Sequence, residues 1–178
     1  MKTTLKPFAA GDTATMSAVF AGMSPASRRL RYHGPMKALT PALMDRLVAV
    51  DGRDHAAVVA VAGRAWRTRP VGVARLVRTD SVTAEFAVEV VDEAQGRGIG
   101  RQLVAWARTT APSLGIELVV AEVLEHNGAM RRLITDHFPG ARATTDGRTV
   151  TYRCPVGVDD WGMDPRDLAA LDMLAVAA

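Results

Sequence analysis

Three glycines and two arginines fall within seven residues at 95–101, where the chain reads Gln-Gly-Arg-Gly-Ile-Gly-Arg soon after a valine-rich run. Backbone N–H groups that lead into a helix can converge on an anion, and the positive end of the helix dipole adds to the attraction. Glycine permits a close approach because it has no side chain to block the ligand. Arg97 and Arg101 supply further charged donors. The segment therefore predicts a phosphate-binding site.

The spacing of the glycines does not fit two common phosphate sites. A dinucleotide fingerprint requires Gly-x-Gly-x-x-Gly, and Arg101 occupies the place of its third glycine. A nucleoside-triphosphate loop requires Gly-Lys-Ser/Thr, which does not occur here. Taken alone, the glycines leave two interpretations open: a site for another phosphate ligand, or a flexible turn between a strand and a helix.

Valine-rich runs and amphipathic stretches surround the glycine segment. The runs predict strands at 55–62, 70–77 and 83–91, because β-branched residues recur between Gly, Pro and Asp. Three helices are predicted earlier in the chain, opened by the capping residues Asp12, Ser24 and Thr40. Later elements are a helix over 100–110 closed by Pro112 and Gly115, a strand over 116–123, a helix over 127–136, and a hairpin that turns at Asp146-Gly147. This order predicts one domain with an α+β or mixed α/β sheet.

The composition is that of an ordinary soluble domain, with 48% hydrophobic and 23% charged residues among 178. The formal charge of +3 is scattered and only 5% of residues are aromatic, so we expect no nucleic-acid partner. No run reaches the roughly 18 apolar residues of a membrane span, and the first residues do not resemble a signal peptide. The single Cys154 excludes an internal disulfide, and the four histidines lack metal-binding spacing. We expect a cytoplasmic protein without a metal or a membrane partner.

Three segments of the chain occur in an order known from one enzyme superfamily. They are Val88-Glu89-Val90, the glycine segment, and the run Asn-Gly-Ala-Met-Arg-Arg-Leu at 127–133. Together they resemble the GNAT superfamily of acetyl-CoA-dependent N-acetyltransferases. The superfamily motif Gln/Arg-x-x-Gly-x-Gly/Ala is matched by Gln95, Gly98 and Gly100, in its expected place after the fourth strand.

Other stretches resemble the protein lysine acetyltransferases of the Pat type. These are Ser-Arg-Arg-Leu-Arg-Tyr at 27–32, Leu-Thr-Pro at 39–41, Val-Asp at 50–51, Ala-Glu-Phe-Ala at 84–87 and the Asn-x-x-Met-x-x-Leu run. The resemblance covers residues 1–155 and implies the GNAT fold, a mixed sheet of about six to seven strands whose fourth and fifth strands splay apart between helices. Residues 156–178 are expected to form a tail in which Asp164 could cap a short helix.

The resemblance also implies acetyl-CoA as cofactor and places its contacts. Backbone of the glycine segment would hold the diphosphate, and the strand edge at Val88 to Val90 would pair with the pantetheine arm as an added strand does. Asn127 would bond the cofactor near its pantetheine end, whereas its simpler role is a helix cap, and one asparagine can do both. The implied contacts are Val88, Glu89, Val90, Gln95, Gly96, Arg97, Gly98, Ile99, Gly100, Arg101, Asn127 and Met130.

Acetyl transfer to an amine requires a base, because a lysine side chain with a pKa of about 10.4 is protonated at neutral pH. The Pat-type pattern has its base at the glutamate of Ala-Glu-x-Ala, here Glu85, and the Val90 N–H is the expected donor to the oxyanion. Alternation places Glu85 and Glu89 on one strand face, toward the cleft or solvent. The alternative for Glu85 is an ordinary surface charge, and that interpretation is the preferred one for Glu89.

The sequence says less about the acceptor amine than about the cofactor. The resemblance favours a protein lysine, with two alternatives: a small amine such as a polyamine, aminoglycoside or amino acid, or a CoA-binding regulatory module without turnover. Many superfamily members place a tyrosine seven residues beyond the asparagine to protonate the leaving thiolate, and here that position is Ile134. The thiolate would then leave unassisted or take a proton from water. A monomer or a homodimer is expected.

Overall fold

The computed structural model describes residues 2–64 and 67–157, which form seven strands and five α-helices. The strands are β1 (Thr3–Pro7), β2 (His55–Arg64), β3 (Arg67–Arg78), β4 (Thr83–Val90), β5 (Leu118–Leu124), β6 (Arg142–Thr145) and β7 (Thr149–Pro155). The helices are α1 (Thr13–Ala21), α2 (Pro25–Tyr32), α3 (Pro41–Val48), α4 (Ile99–Ser113) and α5 (Gly128–His137). A 3₁₀ turn over Asp92–Ala94 precedes α4.

All seven strands lie in one mixed sheet, in the order β1-β2-β3-β4-β5-β7-β6. Neighbouring strands are antiparallel except β4 and β5, which run parallel. These two pair only where Thr83–Glu85 lies opposite Leu118–Val120, although β4 continues to Val90. The strands therefore separate toward their carboxyl ends, which confirms the predicted splayed pair.

Helices cover both faces of the sheet and close the core. The guanidinium of Arg75 in β3 contacts the sulfur of Met16 in α1 at 3.3 Å. Gly72 of the same strand points to the opposite face, where an added Cβ would lie 3.1 Å from Leu103 of α4. The side chains of Met16 and Leu103 are both fully buried. Helices α1 and α2 thus cover one face and α4 the other, with α5 packed beside α4.

The predicted caps open the first three helices. In each helix the capping side chain accepts a hydrogen bond from the N–H three residues later: Asp12 from Thr15 at 2.9 Å, Ser24 from Ser27 at 3.2 Å and Thr40 from Leu43 at 3.3 Å. Pro25 and Pro41 then occupy the first helical turns, where the missing N–H costs nothing.

Three details differ from the predictions. Strand β1 was not predicted, because an edge strand of sequence Thr-Thr-Leu-Lys-Pro lacks the alternating apolar pattern. Pro112 lies inside α4 rather than closing it, and the helix ends before Gly115, whose φ is +70°. The hairpin forms as predicted, but its central pair is Gly147-Arg148, because the N–H of Asp146 bonds the carbonyl of Thr149 at 3.2 Å.

The predicted tail lies almost wholly outside the described residues, and the domain boundary at 155 stays a prediction. Within residues 2–64 and 67–157, none of the helices combines the length and apolar character needed to cross a bilayer.

Candidate active site

A cleft of about 770 Å³ opens where β4 and β5 separate. Its walls come from β4, β5, α2, the glycine segment with the start of α4, and α5. Eleven of the thirteen predicted site residues line it: Glu85, Val88, Glu89, Val90, Gln95, Gly96, Gly98, Gly100, Arg101, Asn127 and Met130. Arg97 is exposed and does not line the cleft, and the Ile99 side chain is buried in the core. The predicted residues therefore converge on one cavity.

The edge of β4 that faces the cleft carries main-chain groups that pair with no other strand among the described residues. The N–H of Val91 bonds the carbonyl of Val71 in β3 at 3.0 Å, so the alternation of an antiparallel pair turns the N–H groups of Val88 and Val90 the other way. That side faces β5, which has already diverged at this level. The Val90 carbonyl also points away from β3, since it accepts a hydrogen bond from the Gln95 side-chain amide at 3.1 Å. The edge is free to pair with an extended ligand.

The first two glycines of the loop supply backbone conformations that other residues adopt at a cost. Gly96 has φ +67° and Gly98 has φ +79°, and no atom lies within 4 Å of a Cβ built on either. Gly98 is also the N-cap of α4 and has no side chain to bond the free N–H groups of the first turn. Those N–H groups therefore remain available to an anion.

The third glycine has a packing role. A Cβ on Gly100 would lie 3.0 Å from a methyl group of Leu133 in α5. Glycine at this position lets α4 and α5 approach closely, which sets the width of the cleft between them. The three glycines thus serve two different purposes.

The Gln95 side chain joins this loop to α2. Its amide nitrogen lies 3.1 Å from the Val90 carbonyl, 3.2 Å from the Ser27 hydroxyl and 3.4 Å from a carboxylate oxygen of Asp92. The same Asp92 oxygen accepts the N–H of Ser24, the cap of α2, at 3.2 Å. The start of α2 is therefore held against the candidate phosphate loop.

Asn127 acts as the predicted cap of α5. Its side-chain oxygen accepts the N–H of Met130 at 3.1 Å, and the residue lines the cleft. Its amide NH₂ group makes none of the hydrogen bonds found within the described part of the chain, so the cap leaves a donor for a ligand. Both roles considered for Asn127 are compatible with this geometry.

Two exposed carboxylates line the cleft on neighbouring strands. Glu85 lies on β4 opposite Val120 of β5 in the parallel register. Glu122 follows two positions along β5, so both side chains project from the same face of the sheet. Glu85 was predicted from the sequence as a site residue, and Glu122 was not. The signal for Glu122 was a charged residue at an alternate position of a valine-rich strand.

Glu89 is not the solvated surface charge that was expected. Its side chain is 1% exposed, and its two oxygens face three side chains: Tyr32 donates to Oε2 at 2.8 Å, Arg75 Nη2 lies 3.3 Å from Oε1, and Arg31 Nε lies 3.6 Å from Oε1. Alternation gave the correct face, but α2 covers that face at Glu89 and leaves it open at Glu85. Burial, reinforced by the Glu89 charge, raises the pKa of Tyr32 well above its usual range, so this hydroxyl stays protonated.

The end of α2 contributes further residues that sequence reasoning did not place in the site. Leu30, Arg31, Tyr32 and His33 all line the cleft beside Glu89. Tyr32 also packs its ring against that of Phe20, with the ring centroids 5.9 Å apart. Ile134, by contrast, is fully buried and does not line the cleft. Among the described residues, no cluster of three or more His, Cys, Asp or Glu could hold a metal ion.

Comparison with known proteins identifies the family. The model of the acetyltransferase (GNAT) family matches residues 28–137. Acetyltransferase PA5475 of Pseudomonas aeruginosa is 31% identical over 133 residues, which cover 74% of this chain and 72% of that protein.

Two further comparisons involve Pat proteins. Acetyltransferase Pat of Mycolicibacterium smegmatis is 36% identical over 97 residues, which cover 53% of this chain but only 28% of Pat. The crystal structure of the GNAT domain of S. lividans PAT superposes with a TM-score of 0.76 at 22% identity, covering 85% of this chain and 89% of that one. The family model covers β4, β5, α4 and α5 in full and α2 from Arg28 onward, and the chain belongs to the acetyltransferase (GNAT) family, whose members use acetyl-CoA.

Proposed function

We propose that the chain transfers the acetyl group of acetyl-CoA to a primary amine, with a protein lysine as acceptor and Glu85 as general base. The lysine acceptor is what the resemblance to Pat-type lysine acetyltransferases implies, and that resemblance is supported by the similarity to acetyltransferase Pat over about half of this chain. The base is supported by one observation, the exposed Glu85 carboxylate in the cleft on the strand that carries the free N–H edge.

The cofactor would bind along the cleft in an extended form. Main-chain N–H groups from Gly96 to Arg101 would hold the diphosphate at the start of α4, where the helix dipole favours negative charge. The pantetheine arm would then pair with the free edge at Val88 and Val90. The Asn127 amide would donate to it from the opposite wall. This path delivers the thioester to the place where β4 and β5 diverge.

The reaction would proceed by direct attack. Glu85 removes a proton from the acceptor ammonium, directly or through water, and the neutral nitrogen attacks the thioester carbon. The Val90 N–H donates to the oxyanion that forms on the carbonyl oxygen. The carbon–sulfur bond then breaks, giving the amide and the CoA thiolate. The attacking nitrogen gives up its second proton to solvent, and the thiolate takes its proton from water because Ile134 has none to donate.

The test compares three glutamate-to-glutamine variants. We expect Glu85→Gln to lower kcat by about 10²- to 10⁴-fold, the usual contribution of a general base, with CoA affinity unchanged. The loss should be largest at neutral pH, where nearly all of the acceptor amine is protonated. Glu117→Gln, an exposed glutamate outside the cleft, is the matched control and should behave as wild type.

Glu122→Gln decides between the two cleft carboxylates. CoA release with a lysine peptide, corrected for hydrolysis without acceptor, gives the rate, and mass spectrometry locates the acetyl group. If Glu122→Gln is inactive and Glu85→Gln is active at neutral pH, the base is Glu122. If small amines are acetylated and lysine peptides are not, the acceptor assignment fails. If acceptors never accelerate CoA release, the chain is a CoA-binding module instead.

A further inference from the structure

The buried cluster beside the cleft, made of Arg31, Tyr32, Arg75 and Glu89, has unequal charges. Two guanidinium groups face one carboxylate, at 3.3 Å and 3.6 Å. Burial, with the Glu89 charge adding to it, keeps the Tyr32 hydroxyl protonated by raising its pKa, so the tyrosine supplies no second negative charge. The cluster therefore carries a net charge of +1 next to the cleft, in a place where water screens it poorly.

Several arginine N–H donors of this cluster also have no hydrogen-bond partner among the described residues. Nε and Nη1 of Arg75 and Nε of Arg31 are buried without hydrogen-bond partners among the described residues. The Arg75 side chain is 3% exposed and contacts the Met16 sulfur, so no ligand reaches it from the cleft. The Arg31 side chain is 18% exposed and lines the cleft, and its outer Nη atoms make none of the protein hydrogen bonds found in residues 2–64 and 67–157. Arg31 is thus the member of the cluster that can meet a ligand.

The position of Arg31 relative to the cofactor path is fixed at both ends of α2. Ser24 and Ser27 at its start bond Asp92 and Gln95 of the loop that precedes α4. At the end of α2, Arg31 and Tyr32 meet Glu89. Glu89 lies between Val88 and Val90, whose N–H groups form the free edge. A group held by Arg31 would therefore lie beside Glu89, in the same cleft as the proposed thioester position.

We propose that Arg31 is a specificity-determining residue that binds a carboxylate of the acceptor. Planar guanidinium groups bind carboxylates with two parallel hydrogen bonds, and the excess positive charge of the cluster favours an anion over a neutral group. The carboxylate has two possible sources: the α-carboxylate of a free amino acid, or an acidic side chain next to a target lysine. This inference rests on the proposed amine acetylation and narrows its acceptor.

The experiment uses two matched acceptor pairs with the full chain and acetyl-CoA. One pair is free lysine and lysine amide, and the other is an end-blocked lysine peptide flanked by glutamates and its counterpart flanked by glutamines. We expect wild type to prefer the carboxylate member of one pair by about tenfold or more in kcat/KM, chiefly through KM. The pair that responds identifies the source of the carboxylate.

Substitution of Arg31 should remove the preference. In Arg31→Gln the ratio within the responsive pair should approach one, and Arg31→Lys, which keeps the charge but loses the planar fork, should give an intermediate ratio. Arg29→Gln is the matched control on the same helix, because Arg29 is exposed and does not line the cleft, and its ratio should equal that of wild type. Glu85→Gln should lower kcat for both members and leave their ratio unchanged, so loss of the base is distinguishable from loss of the subsite.

Ratios near one for both pairs in wild type would overturn the proposal, and so would a preference that survives Arg31→Gln in a variant that melts like wild type. If no acceptor is turned over, calorimetric titration of the same pairs into CoA-saturated protein gives the answer. If wild type binds the carboxylate member of a pair more tightly than its neutral counterpart, and Arg31→Gln binds both equally, the subsite is supported even though acetyl transfer fails. Equal affinities in wild type refute it.

Discussion

Replacing Gly98 with alanine should separate the energy of folding from the energy of CoA binding. Gly98 has φ +79° and lies at the N-cap of α4, and nothing stands within 4 Å of an added Cβ. Gly115, just beyond the other end of the same helix, has φ +70° and equally open surroundings. Gly98→Ala and Gly115→Ala therefore impose similar backbone strain at opposite ends of one helix, and only Gly98 lies at the proposed diphosphate site.

The expected magnitudes differ by site. Left-handed backbone costs an alanine roughly 1–2 kcal/mol, and each kcal/mol lowers Tm by about 2–4 °C at this chain length, so both variants should melt about 2–8 °C below wild type. In Gly98→Ala the new methyl group would also enter the space of the diphosphate. Loss of two hydrogen bonds to a charged group, worth about 1.5–3 kcal/mol each, would raise the Kd for CoA by about 10²- to 10⁴-fold.

Calorimetric titration with CoA and thermal unfolding without ligand give the two readouts for each variant. Gly115→Ala should lose stability and keep the wild-type Kd, whereas Gly98→Ala should lose both. A wild-type Kd for CoA in both variants would show that the diphosphate does not bind at the start of α4. A loss of affinity in both would mean that strain in the helix, rather than obstruction, controls binding.

Three further predictions concern buried groups. Glu89→Leu should cost about 3–5 kcal/mol in urea unfolding, because it leaves two guanidinium groups buried without their anion, and an unchanged midpoint would contradict this. Burial raises the pKa of the Cys154 thiol to about 12, so iodoacetamide at pH 8 should alkylate it only after unfolding, and rapid modification of the native protein would show the burial to be wrong. Burial lowers the pKa of His55, so unfolded His55 binds its proton near pH 6.5 and folded His55 only at lower pH. The free energy of unfolding should therefore fall as pH drops below about 6.5, and His55→Gln should reduce that slope between pH 5 and 7.

Much of the fold could be predicted from local chemistry. Capping residues located the first three helices, and valine-rich runs located β2, β3 and β4 to within a few residues at each end. Strand β1 could not be predicted, because its stability comes from pairing with β2 rather than from an apolar pattern of its own. The divergence of β4 from β5 has no local signal, and its prediction came from the family resemblance alone.

The parts of the site that depend on backbone conformation could be predicted from the sequence. The parts that depend on which side chains helix α2 buries could not. The glycine loop carries its own conformational signature in Gly96 and Gly98. Alternation alone cannot distinguish Glu85 from Glu89, which share a strand face, and only the placement of α2 buries one and leaves the other in the cleft. The role of Arg31 was likewise hidden, because α2 carries three arginines with similar sequence surroundings.

Strand β4 holds the two halves of the proposed chemistry in a fixed relation. Main-chain groups of successive residues alternate between its two edges, and side chains alternate between its two faces, with the same period of two. The register against β3, with Gly72 opposite Val90, therefore sets at once which N–H groups face the cofactor and which carboxylates face the acceptor. A slip of one residue would turn the Val88 and Val90 N–H groups into the sheet and move Glu85 to the wrong face. Gly72 protects this register, since a Cβ there would lie 2.8 Å from the Glu89 carbonyl and force β4 away from β3.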